Sequence, residues 1–163
     1  MSNGGYLLPR MRFGARMGES NVVDMMQGAL HDPFGHGLMG ITAENIANRY
    51  GINREMQDAF AVESQRRAAE AIAAGRFKNQ IVPVPVKVKR EMVDFDTDEH
   101  PRAVTLDKLS TMRPVFKKDG SVTAGNASGI NDGAAALTMV AESAVNKLGA
   151  KPLARIVAYH TSG

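Results

Sequence analysis

The part of this chain best suited to chemistry is residues 120–136, where evenly spaced glycines alternate with small amide and hydroxyl side chains. The glycines are Gly125, Gly129 and Gly133. Glycine adopts positive φ readily, so main-chain N–H and C=O groups in such a segment can approach a bound molecule closely. The polar side chains are those of Asn126, Ser128 and Asn131, which offer both donors and acceptors. The pattern predicts a ligand-contacting loop; the alternative is a plain glycine-rich turn between core strands, and the spacing is not that of a phosphate-binding loop.

The segments on either side of this loop are apolar and must position it. Val122 and Thr123 are β-branched and predict a short strand that leads into the loop. Residues 134–140 are apolar enough for a central strand, and residues 153–159 predict another. Between them, residues 143–148 predict a short helix that Gly149 ends.

The preceding part of the chain is predicted to be mostly helical. Apolar residues recur at helical spacing in residues 19–30, 42–50, 53–74 and 105–112. Asn53 and Thr105 are typical N-caps, while Gly51 and Gly75 are typical residues after a helix end. The buried stripe predicted for the longest helix consists of Met56, Phe60, Ala61, Ala68 and Ile72.

Three further segments are not helical. Residues 1–18 contain glycines and Pro9 without a regular period, which predicts an extended arm or a hairpin. Residues 81–88 alternate valine with proline or lysine, which predicts an edge strand with its valines inward and its lysines in water. Residues 94–99 are acidic and are interpreted as a solvated loop.

Composition excludes several kinds of function. The 163 residues include no cysteine, so the chain has no thiol nucleophile, thiolate metal ligand or disulfide. His31, Asp32 and His36 lie in a glycine-containing loop that fixes no ligand geometry, and we predict no metal site there. The net charge of +3 is mild, and nucleic-acid binding through the basic residues is a poorly supported alternative. Those basic residues are Arg10, Arg12, Arg16, Lys87, Lys89 and Arg90.

The chain shows no signal segment and no apolar run of membrane-spanning length, so we expect a soluble, cytoplasmic protein without a membrane partner.

Five segments in the same order resemble the thiolases, and the likeness covers nearly the whole chain. They are residues 39–45 (MGITAEN), 54–61 (REMQDAFA), 113–116 (RPVF), 123–133 (TAGNASGINDG) and 152–156 (PLARI). The resemblance implies an α/β fold, part of a layered αβαβα arrangement of two similar halves. Residues 1–119 would be a mostly helical loop domain with an edge strand, which binds coenzyme A (CoA). Residues 120–163 would contain core strands, namely the end of the first half and the first strand of the second.

The same resemblance implies an acyltransferase with CoA as a substrate and no other cofactor. Thiolases transfer an acyl group between 3-ketoacyl-CoA or acetyl-CoA and CoA through a cysteine thioester. The nucleophilic cysteine lies upstream in the family, and an asparagine, a histidine and a second cysteine lie downstream. This chain is therefore expected to be an internal segment that carries no catalytic residue and is inactive alone. The alternative is a binding module that binds CoA or a partner without chemistry.

The residues that resemble CoA-binding positions of the family lie in four places. Leu30 and Met39 resemble residues of the pantetheine channel, and Phe116 resembles an aromatic near the adenine. Arg102 resembles an arginine near the phosphates. The loop that holds pantetheine is matched by Ala124, Ser128, Gly129 and Ile130. Leu38 and Lys108 differ from the histidine and the serine that many members have there, so hydrogen bonding to pantetheine is expected to be altered and a second cation to face the nucleotide.

The N-terminal arm has a separate implied role. Residues 6–17 resemble the segment through which many bacterial members join dimers into tetramers. A homo-oligomer, either a dimer or a tetramer, is therefore expected for the whole protein.

Overall fold

The computed structural model describes residues 1–161, which form two compact units divided between Asn131 and Asp132. In the first unit the elements are β1 (Tyr6–Leu7), β2 (Val23–Asp24), α1 (Met25–Ala29), α2 (Met39–Tyr50), α3 (Arg54–Ala73), β3 (Val84–Val88), β4 (Glu91–Phe95) and α4 (Leu106–Ser110). The second unit contains α5 (Glu142–Leu148). Ser162 and Gly163, the last two residues of the predicted second domain, lie outside the described residues.

Helices α3 and α4 begin, and α2 ends, where their capping residues predict, although α2 begins at Met39 and not at the predicted residue 42. The Asn53 side chain accepts a hydrogen bond of 2.9 Å from the Met56 amide at the start of α3. The Thr105 hydroxyl likewise accepts one of 3.3 Å from the Lys108 amide at the start of α4. Gly51 follows α2 with a φ of 64°, a left-handed conformation that costs glycine little. The predicted bounds of α3 and α4 are thus confirmed to within two residues.

The first predicted helix is wrong over half its length. Residues 23–24 form β2, which pairs antiparallel with β1 in the register Tyr6 to Asp24 and Leu7 to Val23. The Asp24 carboxylate accepts a hydrogen bond of 2.9 Å from the Met26 amide, so the helix begins only at Met25. The N-terminal arm is therefore folded back as a hairpin, one of its two predicted forms.

The second hairpin corrects two predictions about residues 81–99. β3 pairs antiparallel with β4, from Val84 opposite Phe95 to Val88 opposite Glu91. Asp94 and Phe95 are therefore in a strand, because the turn at Lys89 returns the chain alongside β3. Both strands are edges, as expected for β3, but Val84 and Val88 remain 54% and 51% exposed rather than inward. A two-stranded sheet covers neither of its own faces, so alternation alone does not bury these valines.

The core of the first unit is small and unusually polar. Its buried apolar residues are Ala47, Leu109 and Val122, and its buried polar residues are Glu44, Asp58 and Thr123. Helix α3 packs against α4 with a face that includes Arg54, Gln57 and Asp58. The predicted apolar stripe is wrong at Met56 and Phe60, which are 56% and 77% exposed, because hydrogen bonding and not apolar burial orients this helix.

The second unit has one helix and extended chain. Gly149 ends α5 with a φ of 58°, as predicted. Residues 134–140 and 153–159 do not form the predicted strands, and their side chains are exposed. A strand needs a neighbour for its backbone groups, and no segment within residues 132–161 pairs with either one. The assignment of residues 1–119 and 120–163 to separate domains stays a prediction.

Within residues 1–161, none of the helices combines the length and the apolar character that crossing a membrane requires.

Candidate functional site

The glycine loop, which we define as residues 120–130, starts as a short extended segment and then turns. The Gly120 amide donates to the Lys117 carbonyl at 3.0 Å, which closes the turn before the loop. The Val122 carbonyl accepts a hydrogen bond of 3.0 Å from the Val115 amide, and Thr123 forms an isolated antiparallel bridge with Pro114. The Ala127 amide then donates to the Thr123 carbonyl at 3.0 Å. Val122 and Thr123 thus pair with residues 114–115 only through an isolated bridge, and not as the short strand that the β-branched residues predict.

Glu44 on α2 binds the first part of the loop. Its carboxylate accepts hydrogen bonds of 2.8 Å from both the Ser121 and the Val122 amides, and one of 3.0 Å from the Ser121 hydroxyl. The Glu44 residue is 3% exposed. Burial acts to raise the pKa of Glu44, but these hydrogen bonds and the charge of Lys117 outweigh it and lower the pKa below its ordinary value. Glu44 is therefore a buried anion at neutral pH.

Gly120 is required by this contact. A Cβ atom at residue 120 would overlap Glu44 Oε1 and would lie 2.8 Å from Glu44 Cδ. Gln57 on α3 also attaches this part of the loop, because its Nε2 donates to the Ser121 hydroxyl at 2.8 Å.

Asp58 on α3 binds the second part of the loop through Asn126. Asp58 Oδ1 accepts a hydrogen bond of 2.9 Å from Asn126 Nδ2, and Asp58 Oδ2 accepts one of 2.7 Å from Arg54 Nε. Asn126 also donates to the Ser121 carbonyl at 3.0 Å and accepts from the Thr123 amide at 2.8 Å. Asn126 thus closes the turn on itself and attaches it to α3.

Arg54 extends this network to α4. Its guanidinium donates to the Leu109 carbonyl and, at 3.0 Å, to the Met112 carbonyl, which are both at the end of α4. Asp58 is 3% exposed, and Arg54 supplies the opposite charge that such a buried carboxylate needs.

The three spaced glycines do not act as the sequence predicts. None of Gly125, Gly129 and Gly133 has a positive φ. Gly125 is needed because a Cβ there would overlap Leu109 Cδ2 and lie 2.6 Å from Met112 Sδ. At Gly129 a Cβ would overlap His100 Cε1 and lie 2.8 Å from His100 Nδ1, so the exposed His100 ring would have to move. Gly133 has no atom within 4 Å of such a position, so its role differs from that of the other two.

The predicted site residues of the loop face outward. Ala124, Ser128, Gly129 and Ile130 are exposed, and Ile130 is 55% exposed. The loop is therefore not buried under its own side chains. His100, which the sequence did not single out, lies against Gly129 and belongs to the same surface.

Leu30 and Met39 are paired at the start of α2, and Phe116 contacts the next residue, Gly40. The Met39 amide donates to the Leu30 carbonyl at 2.9 Å, so the two residues are adjacent although nine positions apart in the chain. The Phe116 ring lies on the backbone of Gly40, where a Cβ atom would overlap its ring carbons. Leu30 and Phe116 are half-buried, and Met39 is 59% exposed.

Helix α2 connects this group with the glycine loop. Gly40 contacts Phe116 and Glu44 contacts Ser121 and Val122. Residues four apart lie on one face of a helix, so both contacts are on consecutive turns of the same face.

Arg102 is attached to α3 and not to α2. Its amide donates to Gln65 Oε1 on α3 at 2.9 Å, and its side chain is exposed. It is two residues from His100, so the same segment contacts both α3 and Gly129. The structure thus attaches Arg102 near one end of the glycine loop but gives it no contact with Leu30 or Met39.

The loop that was considered for metal binding has a local structural role. Asp32 accepts a hydrogen bond of 2.7 Å from the Phe34 amide, which forms the turn between His31 and His36. In the part of the chain that the structure describes, no three histidine, aspartate or glutamate side chains are grouped as a metal site. Two open surface depressions are found at the tip of the β3–β4 hairpin and beside the N-terminal arm. Neither is lined by a residue predicted to bind CoA, so the predicted site is an exposed surface and not one of these depressions.

Residues 1–143 match the family described as Thiolase, N-terminal domain. The chain belongs to the thiolase family. The beta-ketothiolase BktB of Cupriavidus necator is 55% identical over 165 residues, a match that covers 100% of this chain and 42% of the relative. The acetyl-CoA acetyltransferase of Escherichia coli is 50% identical over 167 residues, with the same two shares. This thiolase chain thus spans about 42% of the length of these curated relatives.

Solved structures of thiolases share the fold. Human mitochondrial 3-ketoacyl-CoA thiolase aligns with a TM-score of 0.76 and 40% identity, over 96% of this chain and 40% of that one. A structure of the same human enzyme in complex with CoA aligns with a TM-score of 0.73 and 40% identity, over 93% of this chain and 38% of the other. The predicted α/β thiolase class is therefore confirmed.

Proposed function

We propose that this chain is the CoA-binding portion of a thiolase that transfers an acyl group between CoA and 3-ketoacyl-CoA or acetyl-CoA. The observation that carries the proposal is the exposed glycine loop, whose position is fixed from α2 and α3 while Ala124, Ser128 and Ile130 remain open to a ligand. An exposed, fixed main chain suits a slender ligand with amide groups, and the pantetheine arm of CoA is such a ligand. The complex of a related thiolase with CoA supports the same choice.

The residues of this chain would bind and orient CoA, and none of them would react. Leu30 and Met39 would line the channel for pantetheine, and the Phe116 ring would lie near the adenine. The Arg102 guanidinium would pair with a phosphate, because ion pairs reinforced by hydrogen bonds are the strong ones. The thioester-forming sulfur would belong to polypeptide outside these residues, since this chain contains no cysteine.

Titration of the 163-residue chain with CoA in a calorimeter tests this proposal. Ser128→Trp places a large side chain on the exposed loop, and we expect it to weaken CoA binding by about tenfold or more, or about 1.4 kcal/mol. Ser64→Trp, at an exposed position of α3, is the matched control and should bind CoA as the unmodified chain does. Absence of CoA binding by the unmodified chain, or equal affinities of the two variants, would refute the assignment of the site.

A non-catalytic CoA-binding or partner-binding module is the second candidate, and a segment without cysteine is compatible with both. The coding sequence on either side decides between the two. Flanking sequence with a thiolase cysteine upstream and a Gly-His-Pro segment downstream supports the enzyme, whereas stop codons at both edges support the module.

Assembly and location belong to the same proposal. Oligomerisation through the arm, a location in the cytoplasm and the lack of a cofactor other than substrate CoA stay predictions. Replacement of Arg10, Arg12 and Arg16 by glutamine should change the oligomer mass or the CoA affinity; if both stay the same, the arm has neither role.

A further inference from the structure

We propose that Glu44 and Asp58 are positioning residues that fix the backbone of the glycine loop and thereby set its affinity for the pantetheine arm. This inference rests on the proposed function, because it assigns a purpose to the loop. It concerns two carboxylates that do not touch the proposed ligand surface directly. Their effect would pass through residues 121–126, by way of main-chain amides and the Asn126 side chain.

Glu44 fixes the entrance of the loop. Within residues 1–161, the hydrogen bonds to its carboxylate come from Ser121 and Val122, which are 77 and 78 residues further along the chain. Burial of a carboxylate is unfavourable unless it is well bonded, and here both of its oxygens accept from the loop. Such an arrangement holds two consecutive peptide groups in one orientation.

Asp58 fixes the next turn. It accepts from Asn126, whose own side chain bonds the Ser121 carbonyl and the Thr123 amide. A shift of Asp58 would therefore move the turn that precedes Ala127 and Ser128. Arg54 Nε binds the other carboxylate oxygen of Asp58, Oδ2, at 2.7 Å and so helps to orient it.

The loop needs such attachments because its composition favours disorder. Glycine loses more conformational freedom on ordering than other residues, and this loop contains Gly120, Gly125 and Gly129. A loop that is ordered before binding does not lose that entropy when the ligand arrives. Fixing the main chain in advance would therefore raise affinity for the part of CoA that lies along it, and only that part.

Hydrogen exchange of the Ser121 and Val122 amides tests the positioning role without any ligand. Glu44→Ala removes the acceptor, and we expect these amides to exchange roughly ten- to a hundredfold faster, as expected for loss of hydrogen bonds to a charged group. Glu44→Gln keeps the side-chain volume and one carbonyl acceptor, so it should give an intermediate rate and provides the test if Glu44→Ala does not fold. Glu55→Gln, the same change at an exposed site of α3, is the control and should leave both rates unchanged.

Affinity for two ligands separates positioning from a general loss of structure. CoA contains pantetheine, whereas adenosine 3′,5′-bisphosphate contains only the nucleotide end. We expect Glu44→Gln and Asp58→Asn to weaken CoA binding by about tenfold and to leave the affinity for the bisphosphate unchanged. Equal weakening of both ligands would show a general structural role and overturn the proposal.

Two further outcomes, in amide exchange and in CoA binding, also decide whether the proposal holds. Unchanged amide exchange in both Glu44 variants would overturn the positioning role, whatever the affinities. If the unmodified chain binds no CoA while exchange rises as expected, the proposed function fails and the role of pantetheine in this inference fails with it. The attachment of the loop by Glu44 would then stand as a separate result.

Discussion

Replacement of Gly125 by alanine should destabilise the first unit through a steric conflict and not through backbone strain. The new Cβ would overlap Leu109 Cδ2 and lie 2.6 Å from Met112 Sδ. Leu109 is 1% exposed, and Arg54 holds the carbonyls of Leu109 and Met112, so neither side chain can move outward without loss of packing. Overpacking of this kind costs typically about 1–3 kcal/mol, and we expect a loss in that range.

Urea denaturation followed by circular dichroism measures the effect, and Leu109→Ala provides the decisive comparison. Leu109→Ala alone should cost about 2–5 kcal/mol because it leaves a cavity. In the double variant the alanine at 125 enters that cavity, so the two losses should not add, and the coupling should reach about 1 kcal/mol.

Gly133→Ala is the control for this prediction. Sequence analysis predicts the same role for Gly125 and Gly133, but no atom lies within 4 Å of a Cβ position at Gly133. Its replacement should change the free energy of unfolding by no more than about 0.5 kcal/mol. Equal losses for Gly125→Ala and Gly133→Ala, or additive losses in the double variant with Leu109→Ala, would refute the steric explanation.

Three other measurements test the polar core and the cap of α3. Arg54→Met leaves Asp58 buried without its ion pair and should cost about 3–5 kcal/mol in urea denaturation; Asp58→Asn in the same background should recover part of that loss, and no recovery would contradict the explanation. Because the pKa of Glu44 is lowered on folding, its ionisation stabilises the fold above its ordinary pKa of 4.5, and this contribution is lost as the pH falls below that value through the lowered pKa. The stability difference between the unmodified chain and Glu44→Gln should therefore shrink between pH 7 and pH 3, and a constant difference would contradict the assignment. Asn53→Ala removes the side-chain cap of α3 and should lower stability by about 1 kcal/mol in thermal or urea unfolding, whereas Asn53→Asp, which keeps an acceptor, should not.

The sequence predicts α3, α4 and the end of α2 well because these helix ends are determined locally. Asn53 and Thr105 cap helices through their own side chains, and Gly51 ends α2 by its own conformation. These interactions span only a few residues, so residue type alone identifies them. The same holds for Gly149 after α5.

The strands are predicted poorly because they depend on partners that residue type does not reveal. Residues 134–140 are apolar, yet they form no strand, since apolar character supplies no hydrogen-bonding neighbour. Residues 91–95 form β4 because they face β3 across a turn, although their acidic end resembles a loop. Pairing, and not composition, decides both cases.

The resemblance predicts only exposed residues of the glycine loop. It points to Ala124, Ser128, Gly129 and Ile130, whose role stays a prediction, and not to the carboxylates that hold the loop. Charged residues are seldom fully buried, so Glu44 and Asp58 look like ordinary surface acids. A signal did exist for Glu44, because it lies between Ile41 and Ala47 at three-residue spacing, on the side of α2 that is turned inward.

The hydrogen bonds of Glu44 also limit the kind of ligand that the loop could bind. The amides of Ser121 and Val122 already donate to an anion of the protein itself, so they are occupied and cannot cradle a phosphate or carboxylate from outside. The amides of Gly125, Asn126 and Ala127 also donate within the loop, to the hydroxyl or the carbonyl oxygen of Thr123. Peptide groups for the proposed ligand would therefore have to come from Ser128 onward, and a free anion there would meet the negative charge of Glu44.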